Sequence, residues 1–215
     1  MRRTKEDAAR TRAAIVEGAL ACFDRYGITS ATMEQIAAEA GVTRGAVYHH
    51  FGGKGDILRA IREHVSLPLL DEANTELLRR DGTGALDRIE RFLAAFLSTL
   101  ENDARTRQAL VVMQFRCEYV GRMGGELDAA ARNIDRLAKA LETAYREARA
   151  EGELAEAFEP QVAAIETTMF LSGLVRLWIL HGRDAAIRRN ARAAIALHVA
   201  SRRRPAAALG RAPGH

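Results

Sequence analysis

The sequence predicts an all-helical protein, and three observations carry that prediction. Aromatic residues make up only 6% and prolines number 4, while Ala, Leu, Arg and Glu, which lose little entropy in a helix, are abundant. Apolar residues recur at spacings of three and four between breaks at Gly27, Gly41, Gly52-Gly53, Gly82 to Gly84, Asn102-Asp103, Gly121 to Gly125, Gly152 to Pro160 and Gly182. No run alternates with a period of two over more than a few residues, so about nine helices and no sheet are expected.

The first helix carries Ile15, Ala19 and Phe23 on one stripe and ends at Gly27, a left-handed cap. Thr32-Met33-Glu34-Gln35 announces the second, because Thr32 can accept from the third amide while Gln35 reaches back. Its inner face is Ile36, Ala37 and Ala40. Gly41-Val42-Thr43 then makes a three-residue turn, and Thr43 caps a third, short helix through His50.

Two short helices joined in this way, with Arg, Tyr and His on the second, have the layout of a DNA-reading helix-turn-helix. Val47 and Phe51 are four apart and should face Ile36 and Phe23, which turns Arg44, Tyr48 and His49 outward. The guanidinium of Arg44 matches the guanine edge, a contact worth about 1–3 kcal/mol of discrimination. Gly45 lets the backbone approach the duplex. Tyr48, His49, His50 and Lys54 carry donors for phosphate oxygens, which fix register without reading sequence. Lys54 also stands at a helix start whose free amides attract anions. Thr32 and Thr43 complete the DNA-facing set, and Arg3 and Lys5 extend it as an N-terminal arm. No Cys, Asp or Glu accompanies His49-His50 at ligand spacing, so no metal is expected. No other cofactor is expected either.

Beyond Gly53 a long helix from about Lys54 to Arg80 should be bent or broken near Pro68, which removes an amide donor. The expected domains are residues 1–53, 54–204 and a loose tail, 205–215, whose arginines are expected to be solvated. Leu86, Ile89, Leu93, Phe96, Leu97 and Leu100 form a stripe on the next helix. Leu93, Phe96, Leu110, Met113, Gln114, Cys117, Ser172 and Arg176 are candidates for a mostly apolar small-molecule cavity with a few polar anchors. Plain core packing is the alternative for each Leu and Phe. Arg176, on an otherwise apolar helix, is expected to be buried and to need a partner in Glu118, Glu166 or an anionic ligand.

The segment from Gln161 to Leu180 is apolar nearly all round, so one face needs cover from outside its own domain. A twin subunit is the simplest cover, with Phe170 and Leu174 joined by Ile187, Ala191, Ala194, Ile195 and His198 of the last helix. A membrane span is the poorer reading, since Glu166 and Arg176 would be costly in lipid.

Bulk properties exclude little more. The net charge is +4, and Arg202, Arg203, Arg204 and Arg211 alone account for it, so global charge is no argument for a polyanionic partner. Cys22 and Cys117 lack partner spacing and read as reduced thiols of a cytoplasmic protein. The N-terminus shows no apolar run of a secretory signal. An enzyme is not expected, because no nucleophile, base and orienting group occur together, nor any phosphate-cradling glycine loop.

The stripe Ile15, Ala19, Phe23, then Gly27, Thr32, Ile36, Ala37, Ala40-Gly41-Val42, Gly45, Val47-Tyr48, His50-Phe51 and Lys54 resembles the TetR family of bacterial regulators. Asp103-Ala104-Arg105-Thr106-Arg107, Phe115 to Val120 with Met123, and Ser172 to Trp178 look like its AcrR/TtgR branch of multidrug efflux repressors. The resemblance implies a homodimeric repressor of double-stranded operator DNA, released by a small hydrophobic or amphipathic effector. It matches Tyr48, His50 and Lys54 to DNA-contacting positions and puts Gln114, Ser172 and Arg176 on pocket-lining stretches. A ligand-independent regulator or activator, with a larger domain serving only dimerisation or docking, is the alternative. Two departures stand out: His49 replaces the usual Trp or Tyr, and Gly52-Gly53-Lys54-Gly55 should loosen the joint behind the reading head.

Overall fold

The computed structural model describes residues 5–66, 75–117, 124–182 and 184–205. Its helices are α1 (Lys5–Tyr26), α2 (Met33–Glu39), α3 (Arg44–His50), α4 (Lys54–Ile61), α5 (Ala85–Asn102), α6 (Ala104–Phe115), α7 (Gly124–Ala150), α8 (Pro160–Leu180) and α9 (Ala186–Ala200). Among the described residues no strand forms, and Leu154 and Arg203 make an isolated bridge. Of the expected helix from Lys54 to Arg80, α4 covers Lys54–Ile61 and runs into a π-helical turn, Arg62–Ser66. Pro68 lies outside the described residues, as do Arg3 and Glu118 to Met123.

The chain divides into two compact units. One unit holds Met1–Glu72 with Ser98–Asn133, the other Ala73–Leu97 with Ile134–His215. The first has a core shared between its two segments. Ile15, Ala19, Phe23, Ile36, Val47 and Phe51 pack in one cluster with Ile57, Leu58 and Ile61 of α4 and with Ala109 and Val112 of α6. Close approach of α1 and α2 depends on Gly18, where a Cβ would sit 2.8 Å from the Ala40 amide nitrogen. At the entry to α7, the nearly buried Glu126 carboxylate pairs with Arg59 at 3.2 Å and with Arg62. Removing either arginine alone would leave that buried charge under-compensated.

In the second unit α8 buries Ala163, Ala164, Thr167, Thr168, Leu171, Val175 and Trp178. The intervals of three and four give it one inward face, despite its composition. The opposite side leaves Val162, Ile165, Met169, Leu177 and Leu180 exposed. Among the described residues α8 is the helix long and apolar enough to cross a bilayer, yet its inward face carries a polar chain. Tyr145 Oη lies 2.7 Å from Thr167 Oγ1, which lies 2.9 Å from His198 Nε2. Burial raises the Tyr145 pKa and lowers that of His198 from 6.5 to about 4, with Arg202 adding to the latter.

Arg202, Arg203 and Arg204, which close the second domain, are tied into the second unit, while Arg211 of the expected tail lies outside the described residues. Arg202 is 5% exposed, donates to Glu166 at 3.0 Å and lies over the Phe158 ring. Arg203 pairs with Asp87 and Arg204 with Glu156. Cationic side chains with long apolar stems can close the edge of a core in this way.

Candidate nucleic-acid interface

The reading head is assembled by local chemistry. Thr32 Oγ1 accepts from the Gln35 amide at 3.2 Å and Gln35 Oε1 from the Thr32 amide at 2.8 Å, so α2 starts on a full capping box. Gly41 adopts φ +64°, and the Val42 amide bonds back to the Ala37 carbonyl, ending α2. Thr43 Oγ1 then accepts from the Ala46 amide at 3.2 Å and starts α3.

α3 has the predicted division of faces. Val47 and Phe51 are buried at 0% and 3% exposure, while Thr43, Arg44, Gly45, Tyr48 and His49 are exposed. Thr32 and Lys5 are exposed as well. His50 is half-buried, its ring edge-on to His49 at 5.3 Å. Phe51 also carries the guanidinium of Arg12 4.8 Å over its ring, a contact periodicity gave no sign of.

Arg44 does not hang free. Its guanidinium meets Glu34 at 2.8 Å and lies 5.4 Å over the Tyr48 ring. The Tyr48 hydroxyl, followed by Glu34, raises its pKa further. Both partners are exposed, so solvent screens the pair. Glu34 was legible in the sequence only as a helix-start acid.

Lys54 opens α4, as the sequence leads one to expect. Its ammonium donates to the backbone carbonyls of Ile28 at 2.6 Å, Thr29 at 2.7 Å and Ala31 at 3.0 Å. Partial burial lowers its pKa. The glycine pair before it is also tied, since Gly52 N–H donates to the Asp56 carboxylate at 3.0 Å.

The candidate ligand residues are dispersed over the two units. Leu110, Met113, Gln114 and Cys117 belong to the first, where Met113 and Cys117 pack against the shared core. Leu93 and Phe96 belong to the second and are buried. Ser172 and Arg176 are exposed on the outer side of α8. The expectation of a buried Arg176 is therefore corrected: the inward intervals of α8 pass through Leu171 and Val175, one residue out of phase with it. Among the described residues no three of His, Cys, Asp and Glu form a metal cluster.

The candidate interface residues split by face. Phe170, Leu174, Ile187, Ala191 and Ala194 line a nearly all-apolar open groove of about 560 Å³, bordered by Met169 and Leu177. Ile195 is 1% exposed, so it is core within the chain and not a surface contact. His198 stacks on Phe170 with ring centroids 4.1 Å apart. Leu197, missed by the sequence stripe, is 71% exposed.

Residues 15–61 match the model of bacterial regulatory proteins of the tetR family. Residues 85–201 match that of the C-terminal region of MAATS-type transcriptional repressors. The transcriptional repressor BepR of Brucella suis is 34% identical over 182 residues, covering 85% of this chain and 86% of the relative. The transcriptional regulator TtgR of Pseudomonas putida is 32% identical over 184 residues, covering 84% and 85%. Among solved structures, NalD, the secondary repressor of the MexAB-OprM multidrug efflux pump in Pseudomonas aeruginosa, superposes with a TM-score of 0.82 at 23% identity. That match covers 94% of this chain and all of the other. The SmeT–triclosan complex gives 0.77 at 26% identity, covering 95% and 97%.

Proposed function

Because the chain belongs to the tetR family of bacterial regulatory proteins, we propose that it is a cytoplasmic, homodimeric repressor that binds operator DNA through α3 and leaves it when a small hydrophobic ligand binds. Its relatives among transcriptional repressors, and SmeT as the repressor of the Stenotrophomonas maltophilia multidrug efflux pump SmeDEF, support an efflux operon as its target.

One observation carries the DNA reading. On α3 the apolar pair Val47 and Phe51 is sealed in the core while Arg44, Tyr48 and His49 are presented outward, next to the caps of Thr32 and Thr43. Arg44 reads a base edge, Tyr48 and His49 hold phosphates, and Lys5 with Arg3 extends along the backbone of the duplex. The apolar groove of α8 and α9 supports the dimer, in which a second copy covers Met169, Leu177 and Leu197. Two heads then meet half-sites about one helical turn apart, or a multiple of it.

Release requires the ligand to prefer the conformation that does not bind DNA, since equal affinity for both shifts nothing. The SmeT structure holds triclosan, and a hydrophobic phenol is the natural first probe here. The test is fluorescence anisotropy of the protein on DNA from upstream of its own gene. Arg44→Ala should lose about 1–3 kcal/mol of discrimination at one base pair, and Tyr48→Phe should weaken binding to all sequences alike. Equal binding to operator and scrambled DNA by the unmodified protein would overturn the reading.

A further inference from the structure

We propose that Lys54 is a positioning residue: its ammonium clamps the α1–α2 loop to the first turn of α4, fixing the reading head, and it does not itself hold a phosphate. The inference rests on the DNA-binding reading above and assigns Lys54 a role different from the one its resemblance implies.

An ammonium has three donors and no acceptor. All three are taken up by the carbonyls of Ile28, Thr29 and Ala31, at 2.6, 2.7 and 3.0 Å. A phosphate contact would have to break bonds of the charge-assisted kind, which are the stronger ones. It would also leave loop carbonyls without their donor. The same loop is held from another side, because the Ile28 amide donates to the Arg116 carbonyl at 3.1 Å just beyond α6.

The position of the clamp gives it leverage. Ala31 directly precedes Thr32, the N-cap from which α2 starts. Lys54 opens α4, whose own N-cap, Gly53, offers no side-chain hydrogen bond. Gly52 and Gly53 alone would permit a wide range of backbone angles at that junction. Lys54 closes that freedom from one side and the Asp56 bond to the Gly52 amide from the other. Without the lysine, α2 and α3 keep their caps and cores but lose a fixed angle to α4.

The experiment uses the full-length protein and titrates operator and scrambled DNA across a series of salt concentrations, for the wild type, Lys54→Met and Lys54→Arg, at temperatures well below melting. If Lys54 positions, Lys54→Met lowers operator affinity about tenfold at every salt concentration. The log–log salt slope stays parallel to wild type, and the ratio of operator to scrambled binding falls. Lys54→Arg keeps the charge but not the compact three-way geometry, so it should resemble Lys54→Met. A slope lowered by about 0.9, the signature of one lost phosphate contact, or full rescue by Lys54→Arg overturns the proposal. Amide hydrogen exchange on the free protein decides the clamp independently of DNA. Lys54→Met should speed exchange across residues 27–32 and leave α8 and α9 unchanged. Unchanged exchange in that loop also overturns it. If the wild type shows no operator preference, the regulator reading fails while the exchange result still judges the clamp.

Discussion

The core of the reading head, α1 to α4, and the α8–α9 region bury polar and apolar groups in opposite ways. In the reading head the core cluster is wholly apolar, and Arg44, Tyr48 and His49 stay at the surface. In the α8–α9 unit Thr167, Arg88 and Arg202 are buried at 0%, 3% and 5% exposure, while Met169 and Leu197 are exposed at 68% and 71%. A surface that is to meet a polyanion needs donors facing water and a rigid apolar base beneath them. One that is to meet a second copy of itself needs apolar groups outside. Polar bonds inside then hold the helices in one register. The contrast is a prediction about partners, and it can be broken experimentally.

The largest effect should come from the apolar base of the head. Phe23 is fully buried among α1, α2 and α4 residues, so Phe23→Ala should destabilise by about 3–5 kcal/mol. Chemical denaturation followed by circular dichroism measures it. Next in size is the outer face of α8 and α9. Leu197→Glu leaves the core of its own unit untouched but puts charge where a second copy should sit. Sedimentation velocity should show a dimer dissociation constant raised on the order of a hundredfold, about 2.7 kcal/mol. An unshifted dimer would mean that this face is covered by something else, or by nothing.

The smallest effect separates the two units by pH. The folded pKa of His198 is about 4, against 6.5 for the free side chain. The unfolded chain therefore binds the extra proton between those values, and stability falls as pH drops from 6.5 towards 4. Above 6.5 the contribution is fully present. His198→Asn should flatten this part of the profile in urea titrations from pH 4 to 7.5 and leave the reading head's response unaltered. An identical profile for the variant would show that His198 is not held neutral by its burial beside Arg202.

How legible each region was follows from the same contrast. In the head, caps act over three or four residues and apolar side chains recur on one stripe, so Thr32, Thr43, Gly27, Val47 and Phe51 each stand where their chemistry requires. What stayed hidden were side chains whose partners are remote in sequence. Nothing near Lys54 shows that carbonyls more than twenty residues upstream await it. Nothing near Arg202 announces Glu166. α8 misled in another way: a helix apolar on all sides has no periodic signal to say which face is inward, so Arg176 was assigned to the wrong one.

The sequence by itself determined the helices, their caps and the outward face of α3, because capping and periodicity are set by neighbours within a turn or two. Only the tertiary structure decided where α4 and α6 belong, which face of α8 is inward, and what the ammonium of Lys54 and the guanidinium of Arg202 bind. Those outcomes turn on which distant backbone or carboxylate lies within about 3 Å, the reach of a hydrogen bond, and no local pattern encodes that distance.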